Sequence, residues 1–244
     1  MNLPNAITVG RILASPFVAW LPFANSWTLR LAGFVLFVIV AVSDYYDGML
    51  ARTRNLVTNL GKQLDPLADK LFLVATFVPM YVLMESRRGG YAPSLGVGPV
   101  HVREETFPLV APELSPPAFP FISPFGEIGF PLWIAIVILG RELLMTVFRQ
   151  YAARRGVVIA AIGPAKWKTG FQLVWVGAAY FWIWAATAAS HFRWWGKGPW
   201  DAFARFNGFV GVVTMSAATA LTLYSLVLYL QRYGGVLVRK RGRA

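Results

Sequence analysis

Apolar residues are grouped along this 244-residue chain into six stretches, separated by shorter polar segments. A helix that crosses a membrane requires roughly 20 mostly apolar residues. The six stretches that meet this length cover residues 8–24, 29–52, 66–85, 128–152, 165–189 and 207–231. The pattern therefore predicts an all-α integral membrane protein with six transmembrane helices. Residues 1–7 precede the first span, and we expect them to form a short amino-terminal segment at the membrane interface.

The segment of residues 86–127, between the third and fourth spans, has a different composition. It contains eight of the sixteen prolines and five glycines. Both residue types interrupt regular secondary structure. We therefore expect an extramembrane loop with little regular structure, inserted into a single membrane domain that covers residues 1–244.

Composition supports a membrane protein and excludes several kinds of site. Soluble domains carry about 25% charged residues, whereas this chain carries 14%, with a mean hydropathy of +0.53. The absence of cysteine excludes disulfides and thiolate metal sites, and two histidines argue against an imidazole site. The net charge of +12 is more typical of cytoplasmic loops than of nucleic-acid binding, so no nucleic-acid partner is expected.

Basic residues also predict the orientation of the chain. They are concentrated in residues 52–62, 149–168 and 239–243. With six spans, these regions and the amino terminus lie on one side of the membrane. Because cytoplasmic loops are enriched in Lys and Arg, that side is predicted to be cytoplasmic. We expect the inner membrane of a bacterial-type cell and contacts with its lipids.

The most informative feature is a cluster of acidic residues. Four of the five aspartates in the chain, Asp44, Asp47, Asp65 and Asp69, lie within 26 residues beside apolar spans. Ionisable groups in or near a membrane are costly and usually functional. Carboxylate oxygens suit hard divalent cations such as Mg²⁺ or Mn²⁺. The alternative is that these aspartates are helix caps or partners of nearby basic residues, which would account for Asp65 alone.

Helical spacing places the first two aspartates of the cluster on one helix face. Residues three, four and seven apart share a helix face, so Asp44, Asp47, Gly48 and Ala51 form one stripe near the end of the second span, and Arg52 lies just beside it. The small residues leave room for a bulky group beside the carboxylates.

A second pair of carboxylates follows after a short polar linker. Gly61 suits a turn, and Asp65 is a candidate N-cap because Pro66 suits the first helical position. Asp69 then lies one turn after Asp65. Two helix ends would thus direct two pairs of carboxylates at each other, which is a geometry for one or two divalent cations that bridge phosphate oxygens.

The full pattern resembles the signature of a known family. It reads Asp44-x2-Asp47-Gly48-x2-Ala51-Arg52-x8-Gly61-x3-Asp65-x3-Asp69, and it is similar to that of the CDP-alcohol phosphotransferases. The resemblance implies six transmembrane helices, a homodimer, and transfer of a phosphatidyl or similar group from a CDP-linked donor to an alcohol, with release of CMP.

The same resemblance implies roles for individual residues. Asp44, Asp47 and Asp65 would hold two divalent cations, and Asp69 would both contact metal and act as the base. The residues implied in binding of the CDP-linked donor are Gly48, Ala51, Arg52, Thr58, Asn5 and Thr8.

A second group of charges predicts the kind of acceptor. Arg141 and Arg149 lie eight residues apart, hence roughly on one helix face, and Lys166 and Lys168 follow at the start of the fifth span. They could form a basic pocket for a phosphorylated acceptor. The alternative is an ion pair between Arg141 and Glu142, together with ordinary loop charges for the other basic residues.

Four segments are similar to one branch of the family, which uses CDP-diacylglycerol as donor and sn-glycerol 3-phosphate as acceptor. They read LPNAITVGRI, SDYYDG, GREL and PAKWKT. This resemblance implies that Arg141, Arg149 and Lys166 bind the acceptor phosphate. A related transferase that uses inositol phosphate, phosphatidylglycerol or serine remains an alternative. A cation channel or transporter is a more distant one, since its carboxylates would be expected along several spans.

Five tryptophans gather near the end of the fifth span and in the loop that follows. They are Trp182, Trp184, Trp194, Trp195 and Trp200. Because tryptophan is enriched at membrane interfaces, we expect this group to anchor the protein in lipid.

Overall fold

The computed structural model describes residues 3–53, 59–84, 119–157, 159 and 163–233. The helices within this part of the chain are α1 (Leu3–Trp20), α2 (Trp27–Thr53), α3 (Asn59–Met84), α4 (Leu132–Ala153), α5 (Gly163–His191) and α6 (Gly198–Tyr233). A single 3-10 turn, Leu21–Phe23, follows α1 in the described residues, and strands β1 (Phe121–Ser123) and β2 (Gly126–Ile128) form a hairpin. The predicted all-α class is confirmed.

Five of these helices are long and apolar enough to cross a membrane. The candidate spans are Asn5–Phe23, Trp27–Asp44, Leu64–Met84, Trp167–His191 and Gly198–Tyr233. The remaining helix, α4, has 22 residues but carries Arg141, Glu142 and Arg149. Five of the six predicted spans are thus supported by length and composition, and the sixth stretch does form a helix.

The structure divides into two compact units. The first contains the described residues of Met1–Phe130 and Val176–Gly211, and the second those of Pro131–Trp175 and Val212–Ala244. The expectation of a single domain over residues 1–244 stays a prediction.

Aromatic packing joins α5 to three other helices of the first unit. The Tyr180 hydroxyl lies 3.2 Å from the carbonyl oxygens of both Val18 on α1 and Ala75 on α3, and can donate to either. Phe37 of α2 stacks on both Phe72 and Tyr180, with ring centroids 5.7 and 5.1 Å apart. These buried contacts fix the three amino-terminal helices around α5.

The predicted irregular loop is ordered at its end. Residues 121–128 form the β1–β2 hairpin, and all three β1 residues are buried. The hairpin is attached to the end of α3, because the Phe119 and Phe130 amides donate to the carbonyl oxygens of Leu83 and Met84, at 2.5 and 3.0 Å. The expectation of little regular structure is wrong for this part, where aromatic burial and paired backbone groups offset the many prolines. Residues 86–118 lie outside the described residues.

Three helices begin at least five residues earlier than predicted. Residues 3–7 are the first turns of α1 rather than a separate interfacial segment, and α6 begins at Gly198. The helix α3 begins at Asn59, so Gly61 is helical and Asp65 is not an N-cap. Proline has a fixed φ that helices also use. Pro66 therefore interrupts one backbone hydrogen bond without ending the helix.

One of the five tryptophans, Trp182, differs from its predicted role as a lipid anchor. Trp182 is only 2% exposed, and its indole N–H donates to the Pro120 carbonyl at 2.8 Å. Its ring is stacked with that of Trp200 and lies edge-on to that of Trp195, with centroids 6.4 and 6.1 Å apart. Trp182 is therefore a packing residue of the first unit and not a lipid anchor.

We predict that Gly208→Ala destabilises the protein by about 1–3 kcal/mol, as overpacking typically does. A Cβ at Gly208 of α6 would overlap the backbone carbonyl of Ile122 on β1. Thermal unfolding in detergent measures the effect. Gly170→Ala on α5 is the matched control, because no atom lies within 4 Å of its added Cβ. If both variants unfold at the wild-type temperature, the close approach of β1 to α6 is not required for stability.

Candidate active site

The acidic motif begins on α2 and continues on α3, as its spacing predicted. α2 extends unbroken to Thr53, so Asp44, Asp47, Gly48, Ala51 and Arg52 all belong to one helix. The side chains of the last four lie outside the described part of the structure, and so does Thr58.

Asp65 and Asp69 lie one turn apart inside α3, and both are exposed. The side chain of Asp44 is 53% exposed, and that of Asp69 is 59% exposed. Their exposed positions leave the carboxylate oxygens accessible to a cation, and such oxygens are the ligands that hard divalent cations prefer.

A residue of α1 connects the two acidic helices. The Arg11 side chain is only 4% exposed, and its Nη1 lies 2.5 Å from Oδ1 of Asp44. Its Nη2 donates to Oδ1 of Asp69 at 2.9 Å. One guanidinium therefore bridges a carboxylate of α2 and a carboxylate of α3.

The third described carboxylate is also held by α1. The Thr8 hydroxyl donates to Oδ1 of Asp65 at 2.9 Å. Thr8 and Arg11 are three residues apart on α1, so they lie on neighbouring turns of one helix face. This face of α1 thus contacts Asp44, Asp65 and Asp69. We name Asp44, Asp65 and Asp69 together with Arg11 the acidic cluster.

The chemistry of the acidic cluster fits a divalent cation. Its donors are carboxylate oxygens, which hard cations prefer. Three carboxylates and one guanidinium leave an excess of negative charge that a divalent cation would offset. Within the described residues, no group of three or more acidic or imidazole side chains is close enough together to hold a metal ion. The side chain of Asp47, the fourth predicted ligand, does not belong to those residues.

Arg11 was missed by the sequence analysis, although a signal was present. An arginine within the first apolar stretch follows the same rule as the aspartates, because an ionisable residue in a span requires a partner. Because Thr8 and Arg11 are three residues apart, their spacing also places both on one face of the first helix. The pairing itself was not predictable, because Arg11 and Asp69 are 58 positions apart.

The second unit contains a group of paired basic residues. Arg141 is 6% exposed, and it donates to Oε1 of Glu142 at 3.0 Å and to the Ser225 hydroxyl at 3.1 Å. Lys168 is also buried and pairs with Oε1 of Glu142. The alternative interpretation of Arg141 as an ion-pair partner is thus realised. The interpretation of Lys168 as an ordinary loop charge is wrong, because this lysine is a buried member of the group.

Of the two predicted acceptor residues whose side chains the structure describes, Arg141 is buried and Arg149 is exposed. The guanidinium carbon of Arg149 lies 5.9 Å from the centre of the Tyr229 ring, and that of Arg141 lies 5.7 Å from the same ring. Tyr229 is fully buried and belongs to an apolar core with Met145 and Phe148. The ring therefore positions both arginines by cation–π contact. Lys166 lies in the first turn of α5, and its side chain is outside the described residues.

Comparison with known proteins identifies the family. The family model described as CDP-alcohol phosphatidyltransferase matches residues 1–103 and 114–230. The chain belongs to this family. The matched residues include the whole acidic cluster, and they also include Arg141, Arg149, Lys166 and Lys168 of the second unit. Both groups of charges therefore lie within the family region of this CDP-alcohol phosphatidyltransferase.

Three relatives share one named activity. The CDP-diacylglycerol–glycerol-3-phosphate 3-phosphatidyltransferase 2 of Arabidopsis thaliana is 27% identical over 98% of this chain and 83% of the relative. The enzyme of that name from Bacillus subtilis is 32% identical over 72% of this chain and 75% of its own length. The enzyme from Rickettsia bellii is 47% identical over 72 residues, which are 30% of this chain and 40% of the relative.

Proposed function

We propose that this protein is a phosphatidylglycerophosphate synthase, which transfers the phosphatidyl group of CDP-diacylglycerol to sn-glycerol 3-phosphate and releases CMP. The observation that carries the proposal is the convergence of Asp44 and Asp69 on one guanidinium, with Asp65 held by the same helix face. Family membership and the activities of the relatives support it. The product is a precursor of phosphatidylglycerol in phospholipid biosynthesis.

The acidic residues would hold two divalent cations, Mg²⁺ or Mn²⁺. In this proposal Asp44, Asp47 and Asp65 are ligands and Asp69 is shared between metal and substrate. When bound, the cations would neutralise the donor pyrophosphate and the charge that develops on CMP. Members of the family generally depend on divalent cations, and the carboxylate donor set supports this requirement.

In the proposed reaction, the chain itself supplies the base that removes a proton from the acceptor hydroxyl. The acceptor oxygen attacks the phosphorus that carries diacylglycerol, and the bond from that phosphorus to the oxygen of CMP breaks, so CMP leaves with the electron pair. The hydroxyl proton passes to the carboxylate of Asp69. The side chain of Asp69 is 59% exposed, so an acceptor hydroxyl can approach it within hydrogen-bonding distance.

The donor would bind at the end of α2 and beside α1. Gly48, Ala51, Arg52 and Thr58 are proposed to contact its nucleotide and phosphates. Asn5 and Thr8, expected from the resemblance to border the nucleotide, are 7% and 1% exposed. Because Thr8 donates to Asp65, we propose that it orients this carboxylate.

The acceptor phosphate would bind to the basic residues of the second unit. Arg149 is exposed and positioned by the Tyr229 ring, so we propose it as the main phosphate contact. Arg141 and Lys166 are proposed to assist. Glu142 contacts both Arg141 and Lys168, so it offsets part of the positive charge there.

The membrane location and the orientation of the enzyme are inferred from its apolar helices and basic loops. The chain is an integral membrane protein by its five candidate spans. We propose that it resides in the inner membrane of a bacterial-type cell, forms a homodimer, and directs its active site to the cytoplasm, where glycerol 3-phosphate is available. The concentration of Lys and Arg in residues 52–62 and 149–168 supports this orientation.

The direct test is CMP release by the purified protein in detergent micelles. With CDP-diacylglycerol and Mn²⁺, we expect CMP release when glycerol 3-phosphate is added. Equal or faster release with inositol phosphate, serine or phosphatidylglycerol would assign the enzyme to a related transferase instead. No release with any acceptor, together with cation flux in liposomes, would support the channel alternative.

We further predict that removal of divalent cations abolishes the reaction. Treatment with EDTA followed by desalting should lower CMP release to the level of a sample without enzyme, because without a cation the carboxylates would repel the donor pyrophosphate. Added Mg²⁺ or Mn²⁺ should restore the rate, whereas the same concentration of K⁺ should not. Undiminished release after EDTA treatment would contradict the metal requirement.

A further inference from the structure

We propose that Arg11 is the positioning residue of the acidic cluster, and that it keeps Asp44 and Asp69 directed at one place before a cation binds. This inference rests on the proposed function, because it concerns the same carboxylates. Nothing in the acidic signature includes Arg11, which lies 33 positions before Asp44 in the sequence. Its assignment comes from the contacts alone.

The Arg11 guanidinium bridges the two carboxylates. Nη1 contacts Asp44 at 2.5 Å and Nη2 contacts Asp69 at 2.9 Å, so each carboxylate has a separate nitrogen. Guanidinium is planar and rigid, and it presents its donors in a fixed geometry. A bridge of this kind fixes the separation of two carboxylates on two helices, which a flexible ammonium group would not do.

Burial adds to the strength of this restraint. Arg11 is 4% exposed, whereas both carboxylates are more than half exposed. Among the described residues its Nε has no hydrogen-bond partner, so the guanidinium is satisfied only through its two terminal nitrogens. A buried charge that depends on two partners is costly to leave without them. The two aspartates are therefore drawn to the buried arginine, and not the reverse.

The positive charge of Arg11 could have either of two opposite effects on cation binding. Two carboxylates close to each other repel, and a guanidinium between them reduces that repulsion. If Arg11 positions them, its loss should weaken cation binding. If Arg11 merely competes with the cation for the same oxygens, its loss should strengthen cation binding. The two roles predict changes of opposite sign.

The experiment measures Mn²⁺ binding to the full-length protein in detergent without substrate, using the electron paramagnetic resonance signal of free Mn²⁺. We expect Arg11→Met, which keeps the apolar stem but removes the charge, to raise the Mn²⁺ dissociation constant about 10–100-fold, the usual cost of losing a group that orients metal ligands. Arg11→Lys should give an intermediate value, since one ammonium cannot contact both carboxylates through a fork.

Arg30→Met is the matched control. Arg30 is also an arginine that is 4% exposed, and it pairs with the neutral Pro22 carbonyl and the Thr187 hydroxyl. A purely structural role for Arg11 would lower the unfolding temperature of both variants and leave both Mn²⁺ dissociation constants at the wild-type value. That result, or tighter Mn²⁺ binding by Arg11→Met, overturns the proposal. If Arg11→Met does not fold, the Arg11→Lys value decides in the same way.

The outcome is separable from that of the proposed function. If the wild-type protein releases CMP and Arg11→Met binds Mn²⁺ normally, only the role of Arg11 is wrong. If the wild-type protein binds Mn²⁺ but transfers no phosphatidyl group, the proposed activity is wrong, and the comparison of dissociation constants still decides the role of Arg11. If the wild-type protein binds no Mn²⁺, both proposals are wrong.

Discussion

Asp69→Asn is expected to lower kcat for phosphatidyl transfer by about 10²–10⁴-fold, the range for loss of a general base, while CDP-diacylglycerol still binds. Asparagine has nearly the same shape, and its amide oxygen can still accept the hydrogen bond from Arg11. It cannot take the proton of the acceptor hydroxyl. The substitution therefore separates proton transfer from the structural role of the side chain.

Single-turnover CMP release and titration of the donor into enzyme micelles measure the two effects separately. Glu127→Gln is the control, because it makes the same chemical change at an exposed carboxylate on strand β2, and we expect its kcat to equal that of the wild type. Retained activity in Asp69→Asn would show that another group accepts the proton. Loss of donor binding together with kcat would assign Asp69 to substrate binding instead.

The helices were predictable from the sequence because membrane spans have a strong and local signal. Each predicted apolar stretch became a helix, since a backbone in an apolar environment must satisfy its hydrogen bonds internally. The ends were less accurate because they depend on neighbouring contacts. Gly61 suggested a turn and Pro66 suggested the first position of a helix, yet α3 begins before both and continues through them.

The acidic residues of the site were also predictable, because four carboxylates close together beside apolar spans repel one another unless a cation compensates their charge. Their partners were not predictable. Arg11 reaches Asp44 and Asp69 only once α1 packs against both α2 and α3, and no periodicity within one helix encodes that contact. The same reason applies to Lys168, whose pairing with Glu142 joins two helices of the second unit.

The structure distinguishes two arginines that the sequence offered equally as contacts of the acceptor phosphate. Arg141 and Arg149 looked alike in sequence, as two arginines on one helix face. In the structure Arg141 is buried and engaged by Glu142 and Ser225, whereas Arg149 is exposed over the Tyr229 ring. A ligand can reach Arg149 without breaking a buried ion pair, which would be costly.

Arg149→Ala is therefore expected to raise the KM for glycerol 3-phosphate by about 10–100-fold. A hydrogen bond to a charged group contributes about 1.5–3 kcal/mol, and each 1.4 kcal/mol corresponds to about tenfold in affinity. The KM for CDP-diacylglycerol should change little, because in the proposed assignment the donor is held by the residues of α1 and α2. Initial rates of CMP release at varied concentrations of each substrate measure both constants.

Arg154→Ala is the matched control, since Arg154 is an exposed arginine five residues further along, at the carboxyl end of the same helix. If general positive charge near α4 attracts the acceptor, both substitutions should raise the acceptor KM equally, and the effect should disappear at high salt because exposed charges are screened. If Arg149 contacts the phosphate directly, only its own substitution has a large effect, and Arg149→Lys restores part of the affinity. An equal loss for donor and acceptor in Arg149→Ala would contradict a phosphate-binding role and would indicate a structural one.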